Sequence, residues 1–179
     1  RPRVGRKARM SVVLAIDPSI VSSGVALFRE GVLVRAVRVT LPRHADEQIG
    51  ERVAAMAHAL ATGRGAVDVV VYEWPQIYTR DKSKGDPNDL VALAAIGAAA
   101  CAMLRPYTIL TPTPAEWSGQ TKKTTRGSAK ESPRAKRILS RLTAAERELV
   151  PNQHDVIDAV GLGLFGCGRL TVQRVYSSE

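Results

Sequence analysis

The apolar run Val12-Val13-Leu14-Ala15-Ile16 ends on Asp17, and that ending constrains the chain more than any other feature. A run without polar alternation reads as a strand buried on both faces, inside a sheet covered on each side by helices. A lone carboxylate at its tip would cost several kcal/mol or neutralise by a pKa shift. The pattern recurs at residues 67–73, where an apolar strand ends on Glu73, and Asp155 with Asp158 opens an apolar helix. A shared divalent cation removes the penalty of gathering four such groups and gives the cluster a use.

At 179 residues the chain suits one domain with a full core of its own. The reading is a basic N-terminal arm at 1–10, a single domain at 11–168 and a C-terminal tail at 169–179. No stretch reaches the ~18 to 20 apolar residues of a membrane span, so no membrane partner is expected. Cys101 and Cys167 lie in apolar or Gly-rich surroundings, which points to small buried hydrophobes in a reducing, cytoplasmic compartment. A formal charge of +9 calls for a polyanionic partner, nucleic acid first. The excess is concentrated in Arg1, Arg3, Arg6, Lys7 and Arg9, and again in Lys122, Lys123, Arg126, Lys130, Arg134, Lys136, Arg137 and Arg141. No hydrophobic segment with a cleavage site follows the first group, so an arm on DNA and a solvated tail are both open.

Along the chain, residues 11–17 and 24–28 read as strands, and 37–41 as a third strand antiparallel to the second. Residues 32–37 alternate poorly. A helix over 46–61 carries Ile49, Val53, Met56 and Leu60 at helical spacing and stops at Gly63. A buried strand at 67–73, an Ala-rich helix at 88–104 capped by Asn88, and a short strand at 107–110 follow. Residues 113–133 are polar and basic, a mobile loop around one turn of helix. Ser132-Pro133 then starts a helix, Thr143 and Glu146 form a capping box, and Asn152 caps a last helix running through Phe165. The class is α/β: a five-stranded mixed sheet, a three-stranded antiparallel meander plus parallel strands, flanked by helices. Gly97 and its alanine neighbours allow close approach either to the sheet or to a partner helix.

Parallel α/β sheets gather functional groups beyond the carboxyl ends of their strands, where Asp17 and Glu73 fall. Asp155 and Asp158, three apart, share one helix face near its start, and His154 lies on the same face. Oxygen-only ligation favours Mg²⁺ or Mn²⁺ over zinc. Two such ions, about 3.5 to 4 Å apart, would activate a water and stabilise the leaving oxygen of a phosphodiester. Each acid also has a structural reading: Asp17-Pro18 opens turns, Glu73 can end a strand, and Asp155 complements a helix dipole. Asp158 is harder to explain structurally, being ringed by apolar residues. His154 is open between ligand, acid/base helper and exposed first-turn residue.

Three acidic motifs stand in order along the chain: Ile16-Asp17-Pro18-Ser19 with Gly24-Val25-Ala26, the strand Val69-Val70-Val71-Tyr72-Glu73, and Asp155-Val156-Ile157-Asp158-Ala159-Val160. On these motifs the chain resembles the RuvC family of Holliday junction resolvases over most of residues 11–166. Lys122-Lys123 and Gly127-Ser128-Ala129-Lys130 match the family's basic stretch before its final helices. The resemblance implies a ribonuclease H-like fold and a homodimer that cuts two opposed strands of a four-way DNA junction. It implies catalysis by Asp17, Glu73, Asp155 and Asp158, with Asp17 bridging two Mg²⁺ ions for which Mn²⁺ can substitute. Lys122, Lys123, Arg126 and Lys130 would contact DNA phosphates.

Two departures stand out. Ser19 replaces the family's usual Gly, and residues 74–86 are longer and more polar than the family pattern, which suggests a divergent branch such as those of bacteriophages. Tyr78 is the candidate for the family's aromatic wedge and Trp74 the second, with a core or surface aromatic as the alternative for either. Three competing functions share parts of the pattern. A broader flap, fork or debranching nuclease would use the same acids. A sugar-kinase or actin-like ATPase would use Ser19, Ser22, Ser23 and Gly24 as a phosphate turn, but needs two domains. A DNA-binding module that lost its chemistry would have no use for a costly set of like charges.

Overall fold

The computed structural model describes residues 11–42, 46–76, 87–119 and 128–170. Five strands, β1 (Val12–Asp17), β2 (Ser22–Arg29), β3 (Val32–Thr40), β4 (Val69–Tyr72) and β5 (Thr108–Leu110), form one sheet in the order β3-β2-β1-β4-β5. β1, β2 and β3 are antiparallel neighbours, while β4 runs parallel to both β1 and β5. The expected mixed sheet with its meander is therefore present. The helices are α1 (Ile49–Ala61), α2 (Pro87–Leu104), α3 (Pro114–Trp117), α4 (Pro133–Leu139), α5 (Ala144–Glu148) and α6 (His154–Gly166), with a 3₁₀ turn at Ala129–Glu131.

The central strands are buried on both faces, so their alternation divides two cores rather than core from solvent. Leu14, Ile16, Val25, Val70 and Tyr72 face α1 and α2. Val13, Ala15, Ala26, Phe28 and Val71 face α6, together with Trp117 and Ile138. On the first side Gly97 of α2 lies over the Tyr72 ring, where an added Cβ would come within 2.4 Å of ring carbons, so this glycine serves packing on the sheet.

Several boundaries differ from the sequence expectation for local reasons. β3 begins at Val32, and its poor alternation is a bulge: Phe28 pairs with Leu33 but Leu27 pairs with Arg35, leaving Val34 extra. Leu33 and Ala36 can then both be buried on one face despite their odd spacing. α2 starts at Pro87, so Asn88 lies in its first turn and does not cap it. Asn152 does not cap α6 either. The N-cap is Gln153, and the Asn152 side-chain oxygen instead accepts from the Ser128 hydroxyl and the Lys130 N–H, both at 3.0 Å, closing the 3₁₀ turn. The caps at Ser132 and Thr143 are formed as expected. The C-terminal boundary shifts: Leu170 is buried in the α6 core and Arg169 is bonded into it, so the packed unit reaches beyond 168. The arm at 1–10 lies outside the described residues, as does the tail from 171 onward. Both cysteines are free thiols, and burial pushes Cys101 up to about 11.

Glu146 has a second duty beside its capping box. It accepts from the Leu33 N–H at 2.8 Å and from Arg169 through both oxygens, at 2.6 and 3.0 Å, while only 2% exposed. The Arg169 hydrogen bond, aided by the backbone N–H groups of Leu33 and Thr143, lowers the Glu146 pKa from 4.5 to about 2. A depressed carboxyl stabilises fully above its unfolded pKa and loses that contribution as the pH falls through the folded value. Wild type should thus lose on the order of 3 kcal/mol between pH 4.5 and 2 from this group alone. Glu146→Gln should be less stable at neutral pH by about that amount and lack this acid limb, which urea melts across the range would read.

Candidate active site

Three residues form one row across the sheet: Asp17 of β1 pairs with Gly24 of β2, and Gly24 pairs with Arg38 of β3. Asp17 continues the parity of Val13 and Ala15, and Glu73 follows Val71 by two, so both acids belong to the α6 side. Ile16 pairs with Tyr72, which sets Asp17 and Glu73 at the next level of neighbouring parallel strands. The start of α6 rests on this row because Gly24 has no side chain. A Cβ there would stand 1.9 Å from the Asp155 carbonyl oxygen.

Asp155 is fully engaged. Its Oδ2 accepts from Arg38 Nε at 2.6 Å and from the Ser22 hydroxyl at 3.2 Å. Its Oδ1 accepts from Arg38 Nη2 at 3.0 Å and from the Val156 N–H at 3.2 Å. The hydrogen bond to Asp155 raises the Arg38 pKa above its ordinary value. Asp158, one turn on, is 5% exposed and pairs with Arg134 at 3.5 Å. The Arg134 guanidinium lies 5.4 Å from the centre of the buried Trp117 ring, and Trp117 Nε1 donates to Glu73 Oε2 at 2.6 Å. Glu73 and Asp158 are thereby joined through one tryptophan and one arginine. Gly161 lets α6 approach this tryptophan, since a Cβ there would fall 2.6 Å from the ring.

A cavity of about 510 Å³ opens at this end of the sheet, lined by Asp17, Ser22, Arg38, Ser128, His154 and Asp155 among others. Its wall is mostly polar, with hydroxyl, amide, imidazole and guanidinium groups suited to a phosphodiester backbone. His154 opens α6 and lines the cavity beside Asp155. Lys130 sits in the 3₁₀ turn, next to the lining residues Ser128 and Ala129. Lys122, Lys123, Arg126 and Tyr78 lie outside the described residues. Trp74 is 45% exposed and tilts against Tyr72, with ring centres 6.2 Å apart.

Ser19 is explained by the turn itself. Its Oγ accepts from the Val21 and Ser22 N–H groups, and its own N–H and carbonyl are both bonded to the Ser23 hydroxyl. Ser19 and Ser23 thus close the β1–β2 connection rather than cradle a phosphate. The arginines were the residues that sequence reasoning missed. Hairpin pairing counted from the Glu30-Gly31 turn would have set Val37 beside Gly24, and the bulge at Val34 brings Arg38 there instead.

The donor chemistry of the four acids suits a hard divalent cation, but their present spacing does not. Among the described residues no three His, Cys, Asp or Glu side chains converge closely enough to hold one metal. Arg38 and Arg134 supply positive charge to Asp155 and Asp158 in this arrangement.

The strand order, the antiparallel meander on one side of a parallel pair and the flanking helices define an α/β protein of ribonuclease H-like fold. Among solved structures, RuvC of Thermus thermophilus in complex with a Holliday junction substrate is similar with a TM-score of 0.59 and 17% identity. The match covers 90% of this chain and 98% of that one. A second Thermus thermophilus RuvC structure gives 0.53 at 16% identity, covering 89% and 98%. No protein-family model matches the chain, and no curated protein matches it in sequence.

Proposed function

We propose that this chain is a metal-dependent, structure-selective endonuclease that resolves four-way DNA junctions by paired phosphodiester hydrolysis. The observation that supports the reading is that Asp17 and Asp155 line one polar cavity at the end of a RuvC-like sheet, with Glu73 and Asp158 linked nearby through Trp117 and Arg134. The charge of +9 supplies the affinity for a polyanion.

A pair of Mg²⁺ or Mn²⁺ ions would supply Lewis-acid activation of a water and charge neutralisation. Holding them would require Asp17, Glu73, Asp155 and Asp158 to draw together from their present spacing, with Arg38 and Arg134 giving way. The chain's other groups orient the DNA. Lys130, beside the cavity, is a proposed contact to a backbone phosphate, and Lys122, Lys123 and Arg126 are proposed phosphate contacts from the basic stretch of the sequence. His154, which lines the same cavity, is the proposed proton donor to the leaving oxygen. Tyr78 is the proposed wedge at the junction centre. One such site cuts one strand, so paired cuts need two protomers, as in a homodimer, or two binding events. An intracellular setting belongs to the same reading, and so does a bacteriophage-type branch, supported only by the long polar segment at 74–86.

A DNA-binding module without chemistry has one observation in its favour, the two arginines already set against Asp155 and Asp158. Cleavage of a labelled immobile four-way junction, with linear duplex and flap controls, in Mg²⁺, Mn²⁺ and chelator, separates the cases. Paired symmetric cuts in the junction alone support the proposal. Equal cutting of flaps makes the protein a broader branched-DNA nuclease, and tight junction binding without cuts favours the module.

A further inference from the structure

We infer that Arg38 is a built-in counter-ion of Asp155, which a divalent cation must displace before Asp155 can ligate it; this rests on the metal-dependent reading above. An ionised carboxylate offers about four acceptor positions. On Asp155 all four are used, by Arg38 Nε and Nη2, the Ser22 hydroxyl and the Val156 N–H. A cation can reach these oxygens only if a donor leaves.

Arg38 is the donor able to go. The Val156 N–H is fixed in the first turn of α6, and rotation of the Ser22 hydroxyl would vacate one position on Oδ2 while the Arg38 charge stayed on both oxygens. The Arg38 side chain is 41% exposed and stands on β3, an edge strand of the sheet, so water can take up its charge once released. Its guanidinium also carries the same sign as the cation, so the two exclude one another from one carboxylate.

The pairing is built into the fold at two points. The bulge at Val34 shifts the β2–β3 register by one residue and so sets Arg38 beside Gly24. Gly24 then leaves the space through which the start of α6 reaches the same row. In the cavity Arg38 and Asp17 flank Asp155, so the displaced guanidinium stays at the wall where a DNA phosphate would lie.

The test is calorimetric titration of Mn²⁺ into the full, DNA-free chain, comparing wild type, Arg38→Gln, Arg38→Lys and the double variant Arg38→Gln with Asp155→Asn. A bidentate but half-exposed pair sets the expected gain: Arg38→Gln should bind Mn²⁺ about five- to tenfold more tightly than wild type. Arg38→Lys, a point charge without the fork, should fall between them. It carries the comparison if Arg38→Gln fails to fold. The gain should vanish in the double variant. Equal affinities in wild type and Arg38→Gln, or a gain that survives Asp155→Asn, would overturn the counter-ion role while leaving a metal site in place. No Mn²⁺ binding by any form would overturn both this role and the metal-dependent reading.

Discussion

Asp17→Asn is expected to lower junction cleavage by about a thousandfold or more, equivalent to about 4 kcal/mol of transition-state stabilisation. The side chain sits where three elements meet. It ends β1, pairs across β2 with Gly24 in the row that carries Arg38, and neighbours Glu73 across the parallel register. Asparagine keeps the shape and one acceptor oxygen but removes the negative charge. A neutral amide cannot share a divalent cation with Asp155, and it cannot offset positive charge in the cavity when phosphate enters. The fold should survive, because the isosteric change leaves the core on the α6 side untouched. Single-turnover cleavage of the junction, with thermal melts as a control, separates chemistry from folding. Cleavage within tenfold of wild type by a folded Asp17→Asn would remove Asp17 from the machinery.

Much of this architecture was legible because the sheet is buried on both sides. Continuous apolar runs such as residues 12–16 and 69–72 have few other interpretations, and acids at their ends mark one rim of the sheet. The capping signals at Ser132 and Thr143 were legible for a different reason, being short-range hydrogen bonds that need only their own sequence. Asn152 failed as a cap because the competition was tertiary. Its side chain closes the 3₁₀ turn more than twenty positions earlier in the chain, and no local pattern records that choice.

The carboxylates could be found in the sequence, but their partners could not. Arginine is abundant in a chain of charge +9, so Arg134 read only as one of a basic stretch and Arg38 was not singled out. Arg38 reaches Asp155 only because one extra residue in β3 moves the register. Arg134 reaches Asp158 only because α4 packs beside Trp117, a residue that reads as part of a polar loop. The available clue was chemical. Asp158 lies among apolar neighbours, and a buried charge must find an opposite charge or a metal. The sequence reading chose the metal. The structure shows that protein groups already answer for part of that charge, so any cation has to be weighed against arginine rather than against empty space.

The contact that holds this arrangement together predicts the largest structural effect. Gly24→Ala should destabilise the protein by about 3 kcal/mol or more. The new Cβ would lie 1.9 Å from the Asp155 carbonyl oxygen, 2.3 Å from its carbon and 2.8 Å from the Val156 nitrogen. All three are backbone atoms in the first turn of α6, so no rotamer change relieves the clash. Either β2 bends out of the sheet or α6 lifts. Lifting α6 disturbs Val156, Ile157, Val160, Leu162 and Leu164, which belong to the core on that side of the sheet, and it draws Asp155 away from Asp17 and Arg38. Cleavage should therefore fall with stability, even in the fraction that stays folded. Gly50→Ala is the matched control. Gly50 is exposed in α1 with nothing within 4 Å of an added Cβ, and alanine there should be neutral or stabilise by up to about 1 kcal/mol. Urea midpoints of the two variants should move in opposite directions. A Gly24→Ala protein as stable as wild type would mean that α6 does not rest on this row, and the site built on that contact would have to be redrawn.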